Sequence, residues 1–457
     1  MHKTWKLAAI LLLAVVAASQ TGFAACDDYR CPEYAVSDLT NMTQSIGRLP
    51  TEFTDPDKVV RFEEKSAETY LAYWIAQLRD PKHPAASLGF LLPGGMVGDV
   101  DYWPSYEAWT AEGRVKEVRF RHRTGSLITG HVWRPPLSEP GPFPAISITP
   151  GSVQATEPMY WWASEMLAEA GYVVLTFDAQ GQGRSEVFGH KDDADETPTF
   201  DGVPFQQAIN FHEMTIDAIE FMLSTPSSPL RYAFSGDAAA GYDVYNPFSS
   251  LIEYLPDGHA NLGIAGHSFG ASGVTYAQDP AINTLNVDNI RTVVAWDNLA
   301  TGYTPHVPAM AQNGESFVEP SFNPQRPDPE SKKAAFNAWR TAGLDTMQVA
   351  TRAATHLEWS FVPGLPLAAS SWGNKIVAYY TLAWFDKYLK HDPTADARLL
   401  TKKFNAPDNA ACGGNDGCYS IYYKNAYWFH DSGGALHSCD DVAHIAAPAE
   451  SCADTDL

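Results

Sequence analysis

The chain has 457 residues, 45% hydrophobic and 19% charged, which is an ordinary globular balance and argues against a disordered chain. Its length suits either a few average domains or one large α/β domain with insertions. The formal net charge of −23 argues against nucleic acid or an anionic membrane surface as the main partner, because both carry charge of the same sign.

The N-terminus has the pattern of a secretory signal peptide over residues 1–24. Lys3 and Lys6 precede the apolar run LAAILLLAVVAA, which is too short to span a bilayer. Small residues follow this run and predict cleavage that leaves Ala25 first in the mature chain. We therefore expect a secreted or periplasmic protein, and no other segment has the pattern of a transmembrane helix.

The six cysteines lie near the two ends of the chain, and an even number in an exported protein indicates disulfide bonds. Pairing of sequence neighbours would join Cys26 to Cys31, Cys412 to Cys418 and Cys439 to Cys452, although sequence alone does not determine connectivity. An alternative is that Cys26 is a lipoprotein attachment site. Phe23 is unusual at such a site, and lipidation would leave an odd number of thiols, so disulfides are favoured.

The pattern along the chain divides it into an extension, a main domain and a tail. Residues 25–110 are predicted to form an N-terminal extension with one helical pattern over 59–78, and 111–400 the main domain. The domain begins with a predicted β-hairpin around TG, after which short apolar runs alternate with amphipathic helices and predict a mostly parallel sheet. These runs are 143–149, 172–177, 262–266, 292–296, 307–311 and 347–351.

Three further segments of the chain need a separate interpretation. Residues 225–260 are too long for an ordinary connection and are a possible lid insertion. Residues 401–457, rich in glycine and bearing four cysteines, are interpreted as a small disulfide-bearing appendage. The aromatic stretch Tyr160, Trp161 and Trp162 either lines a pocket or, as is more common for a helix face, belongs to the core.

Two stretches resemble ligand-binding motifs without matching them. The acidic run HKDDADE at 190–196 fits no defined calcium loop and is interpreted as a solvated turn, so no metal is predicted. TFDAQGQGRS at 176–185 lacks the third glycine of the dinucleotide fingerprint and is also interpreted as a turn.

The pentapeptide Gly266-His267-Ser268-Phe269-Gly270 matches the G-x-S-x-G nucleophile elbow, in which a serine sits on a sharp turn between a strand and a helix. The motif alone is weak, because such a serine can also be a simple turn residue or a helix cap. Here an apolar strand leads into it and a plausible helix, FGASGVTYAQ, follows. We therefore predict that Ser268 is a nucleophile.

A serine hydroxyl needs a base, and the base needs an orienting carboxylate, in the chain order serine, acid, histidine. His356 follows the last predicted strand and precedes the long helix predicted at 372–390, so it is the predicted base. Two backbone N–H groups should bind the oxyanion. We expect these from Phe269, after the nucleophile, and from Ser152 in the loop TPGSVQ, although a plain Pro-Gly turn is the alternative there.

These residues together resemble the α/β-hydrolase superfamily, and within it the dienelactone-hydrolase-like and secreted lipase or polyesterase-like enzymes. The resemblance covers roughly 115–395 and depends on TPGS, YVVLTFDAQGQGRS, GHSFGAS and THLEWS with the helix after it. It implies an α/β fold with a sheet of about eight strands and helices on both faces, no cofactor, and ester hydrolysis through an acyl-enzyme.

The resemblance places the acid after the seventh strand, where this chain has Glu315 and an aspartate would be usual. Asp297, after the predicted strand TVVAW, is the other candidate. Glu315 is preferred because it lies beyond the next strand, closer to the loop that bears His356. The predicted catalytic set is therefore Ser268, Glu315 and His356.

The resulting prediction is a secreted serine esterase with the α/β-hydrolase fold, acting on a small-molecule, lipid or polymeric ester, without nucleic acid as a partner. A peptidase or amidase on the same fold is the nearest alternative, because the same side chains serve both reactions. A non-catalytic secreted binding protein is the alternative from another class. It is disfavoured because candidates for all three catalytic roles are present.

Overall fold

The computed structural model describes residues 55–79, 97–153, 155–187, 189, 207–316, 328–360, 373–400, 419–420 and 422–442. The predicted signal peptide, the acidic run at 190–196 and five of the six cysteines lie outside these residues, so the expectations for them stay predictions. Cys439 is described and buried at the end of the last strand.

One mixed sheet of ten strands organises the described part of the chain. Its strands are β1 (Val115–Arg121), β2 (Leu127–Trp133), β3 (Ala145–Thr149), β4 (Val173–Phe177), β5 (Leu262–His267), β6 (Ile290–Trp296), β7 (Ala309–Ser316), β8 (Thr346–Thr355), β9 (Ala426–His430) and β10 (Leu436–Cys439). Their order is β1-β2-β4-β3-β5-β6-β7-β8-β9-β10. The neighbours from β4 to β8 are parallel, while β1, β2, β9 and β10 join antiparallel. The predicted hairpin and mostly parallel sheet are confirmed.

Helices cover both faces of the sheet. They are α1 (Pro56–Arg79), α2 (Trp103–Glu112), α3 (Trp161–Glu169), α4 (Ala208–Leu223), α5 (Asp237–Ala240), α6 (Phe269–Ala277), α7 (Ala334–Thr341), α8 (Gly373–Leu389) and α9 (Thr394–Leu400). Side chains alternate between the faces: Ala265 of β5 joins the core with α3 and α8, and Ile264 joins the core with α4 and α6. Because both faces are covered, the central strands β3 and β4 are buried along their whole length and are mostly apolar.

The aromatic stretch before and within α3 belongs to the core. Tyr160, Trp161 and Trp162 are between 1% and 3% exposed, so the core interpretation is confirmed. Tyr106 of α2 stacks on Trp161 with ring centroids 4.2 Å apart, and Trp103 lies at 4.9 Å from the same ring. The end of the N-terminal extension therefore contributes directly to the core of the main domain.

The insertion at 225–260 packs at one flank of the sheet. Asp237 pairs with Arg121 of β1 at 3.0 Å, and Ile252 forms a β-bridge with Phe143 in the chain that leads into β3. Three strands separate β1 from β5 in the sheet. These contacts attach the insertion to the edge strand β1 and to the chain before β3, and its role as a lid stays a prediction.

The predicted C-terminal appendage contributes to the main sheet. β9 pairs with β8 through Thr346 and Trp428, and β10 pairs with β9. The sheet therefore has more strands than the eight expected, because the described part of the tail extends its edge.

Within the described ranges, no helix combines the length and the apolar character needed to cross a membrane.

Candidate active site

Ser268 occupies the turn between β5 and α6, as the sequence predicts. Its backbone has φ 58° and ψ −121°, a conformation that a serine rarely adopts and that marks a strained turn. A Cβ at Gly266 would lie 2.2 Å from the carbonyl oxygen of Gly270, and a Cβ at Gly270 would lie 2.2 Å from the carbonyl oxygen of Thr149. Both glycines are therefore required for the strand, the turn and the oxyanion loop to approach this closely.

His356 follows β8 and contacts Ser268. Its Nε2 lies 2.9 Å from the Ser268 Oγ, which is hydrogen-bonding distance. The histidine side chain is 16% exposed, so the pair lies at the surface of the site rather than deep in the core. The structure therefore brings together the predicted nucleophile and the predicted base, although they are 88 residues apart in the chain.

Asp297 lies on the other side of the imidazole, where its Oδ2 pairs with Nδ1 of His356. The Asp297 Oδ1 accepts a 3.1 Å hydrogen bond from the N–H of Gly314. Burial alone would raise the pKa of this carboxyl, but the hydrogen bond and charge of His356, the charge of Lys332 and the Gly314 N–H hold that pKa below its ordinary value. Asp297 is therefore ionised at neutral pH and can orient the histidine.

Asp297 reaches His356 because the chain after β6 folds over the end of β7. The N–H groups of Asp297 and Asn298 both donate to the carbonyl oxygen of Gln312 in β7, at 2.7 and 3.3 Å. Both residues have positive φ, 64° and 99°, which aspartate and asparagine tolerate better than other non-glycine residues. This turn carries the Asp297 carboxylate past β7 to the end of β8.

The preference for Glu315 as the acid does not agree with this geometry. The predicted strand ends at residue 311, but β7 continues to Ser316, so Glu315 lies inside the strand instead of in the loop after it. Its side chain is buried, and its charge acts against the lowering of the pKa values of Lys332 and Arg352 that burial causes. The position expected for Glu315 is taken by Asp297.

The expected oxyanion donors lie on the two segments that meet beside Ser268. The loop after β3 comes close to the nucleophile, since a Cβ at Gly151 would lie 3.0 Å from the Ser268 Cβ. Among the described residues, the N–H groups of Ser152 and Phe269 have no hydrogen-bond acceptor. Both groups are therefore available to bind an anionic oxygen.

Three further side chains around the site were not predicted from the sequence. Tyr160 and Gln182 hydrogen-bond the backbone of Gly151, and His267 hydrogen-bonds both Tyr160 and the backbone of His356. His267 is the first variable residue of the G-x-S-x-G motif, and Gln182 lies in the GQG stretch interpreted as a turn. The one local signal in the sequence is the place of His267 directly before the predicted nucleophile.

A metal site requires several ligating side chains arranged around one point. Within the described ranges, no group of three or more histidine, cysteine, aspartate or glutamate side chains is arranged to hold a metal ion.

Neither a protein-family model nor a curated protein matches this chain. Among solved structures it is similar to a ferulic acid esterase from Streptomyces cinnamoneus, at 16% identity over 61% of this chain and 89% of that chain, with a TM-score of 0.39. It is also similar to a dienelactone hydrolase-like promiscuous phosphotriesterase from metagenomic libraries, at 15% identity, 60% and 98% coverage and a TM-score of 0.37. A structure from work on two fungal esterases from Rhizomucor miehei has 15% identity, 61% and 83% coverage and a TM-score of 0.36.

These likenesses are too distant to carry an argument about this chain. The fold is instead identified by features of the chain itself. These are a mostly parallel sheet, helices on both faces, and a serine on a strained turn between β5 and α6. The chain therefore resembles an α/β-hydrolase in fold, as its motifs predict. The order Ser268, Asp297 and His356 also follows the order serine, acid, histidine of that fold.

Proposed function

We propose that this chain is an exported serine hydrolase that cleaves carboxylic esters through an acyl-enzyme intermediate. One observation carries the proposal: the Ser268 Oγ, the imidazole of His356 and the carboxylate of Asp297 form a continuous hydrogen-bonded series on a strained elbow. A serine, a histidine and a carboxylate so connected are the components needed to activate a hydroxyl as a nucleophile. Export is proposed from the N-terminal sequence alone.

In the acylation step, the Ser268 Oγ attacks the ester carbonyl carbon while its proton passes to Nε2 of His356. Asp297 keeps the other imidazole nitrogen protonated and stabilises the imidazolium that forms. The carbonyl oxygen becomes an oxyanion and accepts hydrogen bonds from the N–H groups of Ser152 and Phe269. The tetrahedral intermediate then collapses, and His356 gives its proton to the departing alcohol.

Deacylation repeats these steps with water as the nucleophile. His356 takes a proton from the water, the hydroxide adds to the acyl carbon, and the same two N–H groups bind the second oxyanion. Collapse returns the proton from His356 to the Ser268 Oγ and releases the carboxylic acid.

Two variants, one at the turn before α6 and one within α6, test the proposal. Ser272 lies one helical turn after Ser268, and its Oγ also contacts a histidine, with His212 Nε2 at 2.8 Å. Ser268→Ala should lower ester hydrolysis by several orders of magnitude, roughly a millionfold as in well-studied enzymes of this type. Ser272→Ala removes a comparable hydroxyl from the same helix and should keep ester hydrolysis near the wild-type rate.

The assay uses the purified mature protein with chromogenic esters of graded acyl length, the matching anilides, and a fluorophosphonate that labels activated serines. Hydrolysis of esters, together with covalent labelling at Ser268, supports the proposal. Preference for anilides would instead identify an amidase or peptidase. If the folded wild-type protein neither turns over substrate nor reacts with the fluorophosphonate, the proposal is wrong and a binding protein is the better interpretation.

A further inference from the structure

Two side chains hold the backbone of Gly151, in the loop proposed to bind the oxyanion. The N–H of Gly151 donates to the hydroxyl oxygen of Tyr160 at 2.9 Å, and its carbonyl oxygen accepts from Nε2 of Gln182 at 2.9 Å. Tyr160 and Gln182 are each 1% exposed, so water does not compete for these bonds. Gly151 is therefore held from both sides.

The bond to Gln182 also sets the direction of the N–H of Ser152. The carbonyl of Gly151 and the N–H of Ser152 belong to the same peptide unit, which is planar and trans, so the two groups point in opposite directions. Holding the carbonyl toward Gln182 therefore holds the Ser152 N–H away from it. A donor fixed before the reaction does not need to reorganise when the oxyanion forms.

Tyr160 connects this loop to the backbone of His356 through His267. Because a backbone N–H can only donate, the Tyr160 oxygen accepts from Gly151 and its own proton goes to Nδ1 of His267, 2.8 Å away. The other ring nitrogen of His267 then carries the hydrogen and donates to the backbone carbonyl oxygen of His356 at 2.7 Å. The directions of all three bonds follow from the donor and acceptor groups available.

The electrostatics around His267 agree with this arrangement. Its side chain is 2% exposed, and burial, followed by the neighbouring His356, lowers the pKa of His267 to about 3. The ring is therefore neutral at physiological pH, with one nitrogen free to accept a hydrogen bond and one to donate. A charged ring could not accept the bond from Tyr160.

We propose that Tyr160, His267 and Gln182 are positioning residues that fix the oxyanion loop relative to the backbone of His356. They do not touch the substrate. Tyr160 and His267 act as one unit, because the bond between them is the connection from Gly151 to His356, while Gln182 acts on the same peptide from the other side. This proposal rests on the proposed function, since it concerns the geometry in which that reaction occurs.

A purely structural role is the alternative, since buried tyrosines stabilise many proteins without affecting a reaction. Tyr172 provides a matched control, because it is also fully buried and its hydroxyl donates to Asp386 at 2.7 Å. It directly precedes β4 and so lies at the N-terminal end of the parallel strands, whereas Ser268 follows the C-terminal end of β5. Tyr160→Phe and Tyr172→Phe each delete one buried hydroxyl. Both should lower stability, but only Tyr160→Phe should slow the reaction.

The experiment measures kcat, KM and the rate of fluorophosphonate labelling for the mature protein and its variants. Tyr160→Phe and Gln182→Met should each lower kcat and the labelling rate roughly tenfold to a hundredfold, the scale of a small misplacement of reacting groups, with little change in KM. His267→Gln replaces the ring by a flexible amide, whose N–H can reach the His356 carbonyl but whose oxygen is not held at the position of Nδ1, where Tyr160 donates.

A double-mutant cycle of Tyr160→Phe with His267→Gln tests whether the two residues act as a unit. The double variant should lose no more kcat than the more impaired single variant, because both changes break one connection. The proposal is wrong if the losses in kcat of the two single variants multiply in the double variant. It is also wrong if Tyr160→Phe has the same kcat as Tyr172→Phe. If His267→Gln does not fold, the comparison of Tyr160→Phe and Gln182→Met with Tyr172→Phe still decides it.

The wild-type measurements keep the two proposals apart. Wild-type hydrolysis and labelling at Ser268, combined with unaffected kcat in the Tyr160 and Gln182 variants, would overturn this inference and leave the proposed function standing. An inactive, unlabelled wild-type protein would overturn both.

Discussion

The carboxylate of Asp297 is paired with Nδ1 of His356, although the two residues follow strands that are not neighbours in the sheet. Asp297 follows β6, His356 follows β8, and β7 lies between them. The connection exists because the chain after β6 turns over the end of β7 and hydrogen-bonds Gln312 there. The choice between two candidate acids is thus decided by the path of one turn.

This relationship gives a direct comparison of Asp297→Asn with Glu315→Gln. Asparagine in place of Asp297 would favour the wrong tautomer of His356, so kcat should fall roughly ten-thousandfold while the fold persists. Glu315→Gln removes a buried charge beside Lys332 and Arg352 and should lower stability more than activity. Steady-state kinetics and thermal unfolding of both variants check this, and a larger kinetic loss in Glu315→Gln would restore the rejected assignment.

The neutral state of His267 predicts a pH-dependent contribution to stability. Burial and His356 lower its pKa in the folded state to about 3, whereas an unfolded histidine titrates near 6.5. Between these values the unfolded chain binds a proton that the folded chain excludes, so the free energy of unfolding falls as the pH falls from about 6.5 to 3.

His267→Gln removes this titration. Relative to the wild-type protein, its free energy of unfolding should therefore decline less over the same pH window, by a difference on the order of a few kcal/mol. Urea unfolding at several pH values measures both curves. Parallel curves would show that His267 is not kept neutral by the fold.

Gly270→Ala tests the close approach of the elbow to the oxyanion loop. Because the new methyl group would lie 2.2 Å from the carbonyl oxygen of Thr149, the backbone must move, and we expect a loss of about 1–3 kcal/mol or more in stability together with most of the activity. Gly433→Ala is the control, since its methyl group would be 3.2 Å from the nearest atom, at the end of the Asp431 side chain. Equal effects in urea unfolding and kinetics would contradict this account of the elbow.

The cysteine pattern predicts an exported chain without free thiols. The mature protein should begin at Ala25, show no reaction with a thiol label after denaturation, and gain six labelled cysteines only after reduction. Peptide mapping then tests the pairs Cys26–Cys31, Cys412–Cys418 and Cys439–Cys452. A lipid mass on Cys26, or labelling before reduction, would contradict the prediction.

Features that depend on residues close together in the chain could be predicted from the amino-acid sequence. The apolar runs predicted β3 to β8 because strands covered on both faces need continuous apolar sequence. Gly266 and Gly270 around Ser268 predicted the elbow because only glycine allows the chain to pass so close to itself there. The placement of His356 after the last parallel strand followed from the same order of elements.

Features that depend on segments far apart in the chain became visible only in the folded protein. Where β7 ends determines whether Glu315 is in a strand or a loop, and an apolar run of five residues did not reveal the polar continuation of that strand. The pairing of β9 with β8, the packing of 225–260 against β1, and the bonds from Tyr160 to Gly151 and His267 join residues with no local signal for one another. Hydrogen bonds of this kind are set by which segments the folded sheet brings side by side, and a local sequence pattern does not contain that information.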